Sequence, residues 1–257
     1  MTKQVFAGVD VGASRTKAAV VDGAKRLLGH CVLKSGTDFD ATAALALDKA
    51  LESAGIFSDA IVRCVATGYG RKNVAAADAT HTEIGCHARG CYHYFHAALT
   101  IVDIGGQDNK VIMIDENGRR LGFKMNRKCA AGTGAFLEEM SARLGIPLEE
   151  MDQLARSAEE TVELGSYCTV FSATEVLEKI RQGAAVPAIV KGLFLSVIKR
   201  ILEMHPLTGT VAMTGGVVAH NPFLVNMIAE MLGKDIMVPD HPQLTGAVGA
   251  ALIAMDR

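Results

Sequence analysis

The chain carries one kind of turn twice: an apolar run ends in an aspartate, and a glycine follows two positions later. Asp10 is the aspartate of the first copy and Asp103 that of the second, 93 residues further along. The copies align without a gap over 21 positions, 9–29 and 102–122, of which eight are identical. A glycine at this position lets backbone N–H groups approach a phosphate closely. The repeated turn therefore predicts phosphate binding.

Strands must hold these turns, because each turn is flanked by two short apolar runs. We predict strands at Val5–Val11 and Lys17–Val21 in the first copy, and at Leu99–Ile104 and Lys110–Ile114 in the second. Helical patterns such as the one at 40–54 alternate with the strands, which indicates mixed α/β sheets covered by helices. Two ordinary hairpins would show the same local pattern, and it is the repetition of the whole unit that favours phosphate binding.

The duplication also predicts how the chain is divided. We expect two similar half-domains, residues 1–95 and residues 96–257, that face each other across a nucleotide cleft. A third glycine turn, Gly215-Gly216, follows a strand-like run and precedes a helix predicted at Asn221–Leu232. The second half-domain thus contains a further candidate for close contact with a ligand.

With a phosphate turn in each half and a late glycine pair, the chain resembles the ATPase superfamily that contains actin, sugar kinases and heat-shock chaperones. The resemblance implies an actin-like (ribonuclease H-like) α/β fold that binds ATP and Mg²⁺. It implies that the residues of the two turns hold the phosphates and the hydrated Mg²⁺: Asp10, Gly12, Ala13 and Ser14, and Asp103, Gly105, Gly106 and Gln107. It implies catalytic roles for Asp10, Asp103 and Gln107, and contact with the adenosine for Gly215 and Gly216.

The composition argues against several classes of function. A net charge of −2 and a pI of about 6.4, without a basic run, argue against binding to nucleic acid or to an anionic membrane. No apolar stretch approaches the roughly 18–20 residues that span a bilayer, and the N-terminus lacks the apolar core of a signal peptide. We therefore expect a cytoplasmic protein, whose six cysteines are thiols or ligands rather than disulfides.

Two cysteines have a placement that suits cluster ligands. Cys129 precedes the helical pattern Ala135–Leu144, and Cys168 precedes the pattern Ser172–Ile180. The N–H groups and the dipole at a helix start favour a thiolate and an anionic cluster, and Lys128 acts in the same direction. A four-iron cluster takes four thiolates, so two chains related by a twofold axis would supply the full set. On local physics alone, two small buried cysteines are the alternative.

Four segments make the resemblance more specific: KCAAGTG at 128–134, YCTVF at 167–171, VDIGGQD at 102–108 and ATGYGR at 66–71. Together they resemble the ATP-dependent activators of 2-hydroxyacyl-CoA dehydratases, whose relatives serve benzoyl-CoA reductases and other reductases with paired cubane clusters. The similarity runs essentially end to end. The cysteine segments are its specific part, because sugar kinases and chaperones do not require them.

This resemblance implies an oxygen-sensitive homodimer that holds one [4Fe–4S] cluster through Cys129 and Cys168 of each chain. It implies that ATP binding and hydrolysis change the geometry at the cluster, and that single low-potential electrons pass to a separate iron–sulfur dehydratase or reductase of anaerobic metabolism. The upstream electron donor would be a protein such as ferredoxin or flavodoxin. The identity of the donor, the partner enzyme and its substrate stays open, as does the residue that positions the attacking water.

Other interpretations stay open as well. A small-molecule kinase of the same superfamily, of pantothenate-kinase type, would explain the phosphate turns but not the two cysteines, and an actin-like structural protein would be longer. A zinc site among the cysteines and histidines of 81–96 is a weak hypothesis, because no C-x-x-C pair occurs there. Lys17 and Lys110 occupy matching strand positions and point either at phosphate or at solvent. The chemical role of Thr67–Arg71 is undecided.

Overall fold

The computed structural model describes residues 4–165 and 168–256, and the chain divides into two compact units. Unit 1 comprises Met1–Leu99, Ile112–Gly122 and Gln243–Arg257, and unit 2 comprises Thr100–Val111 and Phe123–Pro242. The last segment of the chain thus belongs to unit 1, although it follows the half-domain boundary expected after residue 95. No helix of the described residues is long and apolar enough to cross a membrane.

The strands form two five-stranded sheets. In chain order the strands are β1 (Val5–Val11), β2 (Arg15–Asp22), β3 (Leu27–Lys34), β4 (Ile61–Thr67), β5 (Ala79–Thr80), β6 (Leu99–Ile104), β7 (Asn109–Ile114), β8 (Arg120–Asn126), β9 (Val211–Thr214) and β10 (Ile236–Met237). The first sheet has the order β3-β2-β1-β4-β5 and the second the order β10-β9-β6-β7-β8. β1 pairs antiparallel with β2 and parallel with β4, and β6 pairs parallel with β9. In each sheet, the strand with the aspartate as its penultimate residue is therefore central.

Helices accompany both sheets, as the alternating pattern predicts. In chain order they are α1 (Phe39–Ala54), α2 (Glu83–Phe95), α3 (Gly134–Leu144), α4 (Met151–Ser157), α5 (Thr169–Arg181), α6 (Val186–Met204), α7 (Gly216–His220), α8 (Pro222–Leu232) and α9 (Thr245–Met255). In unit 1, α1 packs on β2 and β3, and α9 packs on α2 and β1. In unit 2, α4 packs on α6 and α8.

Helix α1 shows how the local sequence determines these elements. The side chain of Asp38 accepts a hydrogen bond of 3.0 Å from the N–H of Ala41, which caps the first turn. Gly55 ends the helix in the left-handed conformation, with φ of +65°. Between the caps, Ala43, Ala46 and other small residues at helical spacing are buried against the first sheet.

Helix α9 is built from small residues, and this composition explains why it joins unit 1. Alanines and glycines make up most of its sequence, and nearly every residue of the helix is buried. A Cβ at Gly249 would collide with the carbonyl of Cys86 in α2, so the two helices approach each other as closely as their backbones allow. This close packing anchors α9 beside the first sheet.

Some predicted boundaries need correction. The strand predicted at 118–124 is β8, which begins at Arg120, because Gly118 has φ of +75° and belongs to the preceding turn. Asn221 does not belong to the helix predicted to start there: it precedes Pro222, whose fixed φ suits the first turn of a helix. The bounds of β1, Val5–Val11, are those predicted.

Candidate functional site

The first turn joins β1 to β2 in unit 1. The N–H of Gly12 donates to the carbonyl of Arg15 over 3.1 Å and closes the turn. A Cβ at position 12 would lie 2.8 Å from that same oxygen, so the turn requires glycine. Ala13 is exposed and Ser14 half-buried at the tip, and among the described residues no acceptor bonds their N–H groups. The tip therefore offers donors of the kind that bind phosphate.

The second turn, between β6 and β7 in unit 2, repeats this geometry. The N–H of Gly105 donates to the carbonyl of Asp108 over 2.9 Å, and a Cβ at position 105 would lie 2.9 Å from the same oxygen. Gly106 and the exposed Gln107 form the tip, and their N–H groups are also without an acceptor in the described part of the chain. The match between the two turns thus extends from sequence to backbone geometry.

A lysine lies beside the aspartate of each turn. Asp10 is the buried penultimate residue of β1, and its Oδ2 is 3.0 Å from Nζ of Lys17. Oδ2 of Asp103 is 3.1 Å from Nζ of Lys110, which is also 2.7 Å from Oδ1 of Asp108. Buried carboxylates are tolerated when an opposite charge is paired with them. The sequence left the direction of both lysines open, and the structure turns each toward its aspartate.

The two aspartates differ at their second oxygen. Oδ1 of Asp103 accepts a hydrogen bond of 2.9 Å from the hydroxyl of Thr214 in β9. Oδ1 of Asp10 is buried, and within the described residues it has no hydrogen-bond partner. A buried acceptor left in this state costs about 1–3 kcal/mol, and more when it is charged. This oxygen therefore suits a polar ligand such as a water molecule bound to Mg²⁺.

The predicted glycine pair follows β9, beside the second turn. Gly215 has φ of +100°, which favours glycine, and a Cβ there would collide with the backbone of Ile104. A Cβ at Gly216, in contrast, would meet nothing within 4 Å in the described structure. Unit 2 therefore brings Asp103, the second turn and the glycine pair together, and the space at Gly216 suits the predicted contact with adenosine.

The segment Thr67–Arg71, which had no assigned role, packs against the first turn. The N–H of Gly70 donates to the carbonyl of Val11 over 2.9 Å. Gly68 has φ of +87°, and a Cβ at this position would lie 2.5 Å from Oδ1 of Asp10. The glycines of this segment therefore let the chain pass directly beside the aspartate.

His87 is a neighbour of the site that sequence reasoning missed. It is buried in α2, and a Cβ added to Gly246 of α9 would lie 3.2 Å from its Nε2 and 3.0 Å from Oδ2 of Asp10. The imidazole and the carboxylate thus flank one glycine. No local pattern indicates this arrangement, because the three residues lie far apart in the chain and His87 is one of several histidines in its segment.

Cys129 and Cys168 both lie in unit 2. Cys129 is exposed on the loop between β8 and α3, five residues before the first residue of α3. Cys168 is half-buried and is the N-cap residue of α5, so it lies at a helix start as the sequence predicts. Tyr167, which begins the YCTVF segment, lies outside the described residues.

The remaining cysteines have a different environment. Burial raises the pKa of Cys64 and of Cys86 to about 12, so both thiols stay protonated at neutral pH. A protonated, buried thiol is a poor metal ligand. Among residues 4–165 and 168–256, no group of three or more His, Cys, Asp or Glu side chains is arranged to hold a metal ion. Cys129, which is exposed, and Cys168, which is half-buried, are therefore better placed for ligation than Cys64 and Cys86.

Residues 7–254 match the BadF/BadG/BcrA/BcrD ATPase family, and the chain belongs to this family. Over 252 residues it is 43% identical to the activator of lactoyl-CoA dehydratase from Anaerotignum propionicum. The aligned region covers 97% of this chain and 96% of that protein. The predicted relationship to dehydratase activators and the prediction of an ATPase are thereby confirmed.

Two solved structures share the fold. One is the activator of the 2-hydroxyisocaproyl-CoA dehydratase from Clostridium difficile with bound ADPNP, with a TM-score of 0.91 and 37% identity over 98% of this chain and 95% of that chain. The other is component A of the (R)-2-hydroxyglutaryl-CoA dehydratase of Acidaminococcus fermentans, with a TM-score of 0.93 and 34% identity over 98% of each chain. The predicted α/β fold of actin-like type is confirmed by these similarities.

Proposed function

We propose that this protein is an ATP-hydrolysing iron–sulfur activator that delivers single low-potential electrons to a separate iron–sulfur enzyme. The observation that carries the proposal is the presence, in one chain of this ATPase family, of two matched phosphate turns and two accessible cysteines. Similarity to activators of 2-hydroxyacyl-CoA dehydratases along nearly the whole chain supports a dehydratase of that class as the partner, ahead of a benzoyl-CoA reductase or a related double-cubane reductase.

The nucleotide chemistry is assigned to the turns. Asp10 and Asp103 hold a hydrated Mg²⁺ through its waters, which suits an ion that dehydrates reluctantly. The N–H groups of residues 12–14 and 105–107 bind phosphate oxygens and stabilise the charge that develops on the transferred phosphoryl group. Gln107 is exposed at the tip of the second turn, where its side chain is accessible to the bound nucleotide.

Neighbouring residues adjust this site. Lys17 and Lys110 each compensate an aspartate, which limits the net negative charge that the triphosphate meets. Gly215 and Gly216 leave room for the adenosine beside the second turn.

The cysteines fit a [4Fe–4S] cluster if two chains contribute, because such a cluster takes four thiolates and each chain offers Cys129 and Cys168. When bound, the cluster supplies a single electron at low potential. Val170 and Phe171 follow Cys168 directly and are 70% and 67% exposed. Apolar side chains exposed next to the ligand are suited to burial against a second copy of the chain. We therefore propose a homodimer.

The proposal also covers the setting of the protein. We place it in the cytoplasm, with a ferredoxin or a flavodoxin as electron donor and no nucleic acid or membrane as partner. A small-molecule kinase or an actin-like structural protein is supported less well, because neither uses the two cysteines. The activator, in contrast, needs both the nucleotide turns and the thiols.

The first half of the test concerns hydrolysis, in protein purified without oxygen. Asp10→Asn and Asp103→Asn should each lower the rate of ATP hydrolysis at least about 100-fold, because each removes charge that holds the Mg²⁺ shell. The iron content should be the same as in the parent. Hydrolysis at the parent rate in both variants would show that the repeated turn does not bind the nucleotide.

The second half concerns iron, and it uses cysteines of the same chain as controls. The parent should be a dimer with about four irons, and Cys129→Ser or Cys168→Ser should lose them. Cys31→Ser and Cys64→Ser are the matched controls and should keep them. Full iron content in a double variant at 129 and 168 would overturn the cluster assignment, and a colourless protein that phosphorylates a metabolite would favour the kinase.

A further inference from the structure

A short loop in unit 2 is tied to the second turn by a buried side chain. This cysteine loop, residues 127–133, follows β8, carries Cys129 and leads into α3. Nδ2 of Asn109, the first residue of β7, donates to the carbonyl of Gly132 over 2.6 Å. At this length the bond is short for an amide and a carbonyl. We call β6, the second turn and β7 the nucleotide hairpin. A residue of this hairpin therefore holds the cysteine loop at Gly132, three residues from Cys129.

Two backbone hydrogen bonds reinforce this link at the start of α3. The N–H of Gly134 donates to the carbonyl of Gly105 over 2.9 Å, and the N–H of Ala135 donates to the carbonyl of Gly106 over 2.7 Å. The first N–H groups of a helix have no partner inside the helix, so the turn supplies what the helix lacks. The peptides that carry these carbonyls belong to the proposed phosphate turn.

Asn109 is fully buried, and its hydrogen bonding is incomplete. Its Oδ1 has no hydrogen-bond partner in the described residues, although its Nδ2 is bonded to the loop. The amide cannot be reversed, because its oxygen would then face the carbonyl of Gly132. A buried acceptor without a donor destabilises this arrangement relative to any other in which Oδ1 finds one. The contact is thus suited to changing when the hairpin moves.

Gly132 has close neighbours on both sides. Its φ is +78°, and a Cβ there would lie 3.0 Å both from Nδ2 of Asn109 and from Cγ of Arg200 in α6. The backbone of the loop is therefore enclosed between the asparagine on one side and α6 on the other. In a close-packed interior, a shift of one group is passed to its neighbour.

We propose that Asn109 is a positioning residue that transmits the nucleotide state of the second turn to the cysteine loop. This inference rests on the proposed function. ATP and ADP contact the turn differently, and a ligand shifts an equilibrium only through such differential contacts. Asn109 and the two backbone bonds convert that difference into a displacement of the loop and of the start of α3. In this role Asn109 acts through Gly132 and needs no contact with phosphate or iron.

The test measures amide hydrogen exchange in residues 127–133 of the full-length protein, which does not depend on the activity of a loaded enzyme. In the parent, exchange should differ about fivefold or more between ADP and a non-hydrolysable ATP analogue, both with Mg²⁺. In Asn109→Ala the ratio should fall below about twofold, while ATP hydrolysis stays within about threefold of the parent. Asn109→Asp keeps the shape but replaces the donor by an acceptor, and it should show the same loss even if the alanine variant is poorly folded.

Asn126→Ala is the matched control. Nδ2 of Asn126 also bonds the cysteine loop, at the carbonyls of Cys129 and Ala131, but from β8 rather than from the nucleotide hairpin. Its loss should speed exchange of the loop with either nucleotide and leave the ratio between nucleotides unchanged. This result separates general loosening of the loop from loss of the nucleotide signal.

The possible failures are distinguishable. A parent-like ratio in folded Asn109→Asp, or a ratio near one in a parent that hydrolyses ATP, overturns the role of Asn109 and leaves the ATPase intact. If Asn126→Ala abolishes the difference between nucleotides as completely as the Asn109 variants do, the role of Asn109 is also overturned. Any hydrogen bond to the loop would then have the same effect. Failure of the Asp10, Asp103 and cysteine variants to behave as stated above would instead refute the proposed function.

Discussion

The clearest quantitative prediction compares the two lysines of the repeat. Lys110 is 1% exposed and ion-pairs with Asp103 and Asp108, whereas Lys17 is 19% exposed and ion-pairs with Asp10. Both are replaced by methionine, which keeps most of the side-chain volume and removes the charge. The two substitutions are at equivalent positions of the repeat, but the different burial of the two lysines predicts different losses of stability.

The magnitudes follow from the environment of each pair. Removing one partner of a fully buried ion pair costs about 3–5 kcal/mol, because the remaining charge is left without compensation in a medium of low polarity. A hydrogen bond to a charged group at a partly exposed site is worth about 1.5–3 kcal/mol. Lys110→Met should therefore destabilise its unit by about 2 kcal/mol more than Lys17→Met destabilises its own, and Asp103→Asn should restore part of the loss, since it removes the uncompensated charge.

Hydrogen exchange resolved by peptide is the suitable assay, because the chain contains no tryptophan and the two units need separate free energies. Residues 100–111 report on Lys110→Met, and residues 5–22 report on Lys17→Met. Equal losses of protection in the two variants would refute the reasoning from burial. An Asp103→Asn, Lys110→Met double variant no more stable than Lys110→Met would refute the pairing itself.

Two further predictions concern unit 1. Gly246→Ala places a Cβ 3.0 Å from Oδ2 of Asp10. The rate of ATP hydrolysis should therefore fall at least about tenfold, equivalent to about 1.4 kcal/mol. Gly23→Ala is the control: its Cβ meets nothing within 4 Å, and this variant should keep the parent rate. Burial and the nearby charges of His96, Lys25 and Arg89 lower the pKa of His93 below 6.5. The unfolded chain then binds more protons, so stability should fall between about pH 7 and pH 5, and His93→Gln should flatten this fall in acid-unfolding curves; an unchanged pH profile would contradict it.

Sequence alone predicted the elements that depend on local pattern. β1 has the predicted bounds because its seven residues form one nearly unbroken apolar run that ends at a turn. Helix α9 shows the limit of this approach. It is apolar on all sides, so its periodicity does not indicate which sheet it covers, and its packing through Gly249 on α2 joins residues more than 150 positions apart. The half-domain boundary after residue 95 is a prediction about duplication, and it does not describe this packing.

The candidate site was predictable to the same extent. The repeat identified Asp10 and Asp103, but not the direction of their lysines, because a lysine on a strand end can face either a carboxylate or solvent. For Lys17 the cross-strand register decides the direction, since the pairing of β1 with β2 places Asp10 opposite Lys17. Thr214 reaches Asp103 through the parallel pairing of β6 with β9, which joins residues 111 positions apart, and no local pattern encodes such a contact.

The two copies of the turn have diverged in a way that separates their tasks. In unit 1, Asp10 keeps an unpartnered buried oxygen, so this copy retains a place for a polar ligand. In unit 2, Thr214 occupies the equivalent oxygen of Asp103, and the carbonyls of the turn are bonded to the start of α3. In the proposed mechanism, the second copy is therefore the one through which a change at the phosphates would reach Cys129. Asn109→Asp leaves both aspartates and both turn tips in place, so it should uncouple Cys129 from the nucleotide while ATP hydrolysis continues, whereas Asp103→Asn should stop hydrolysis itself.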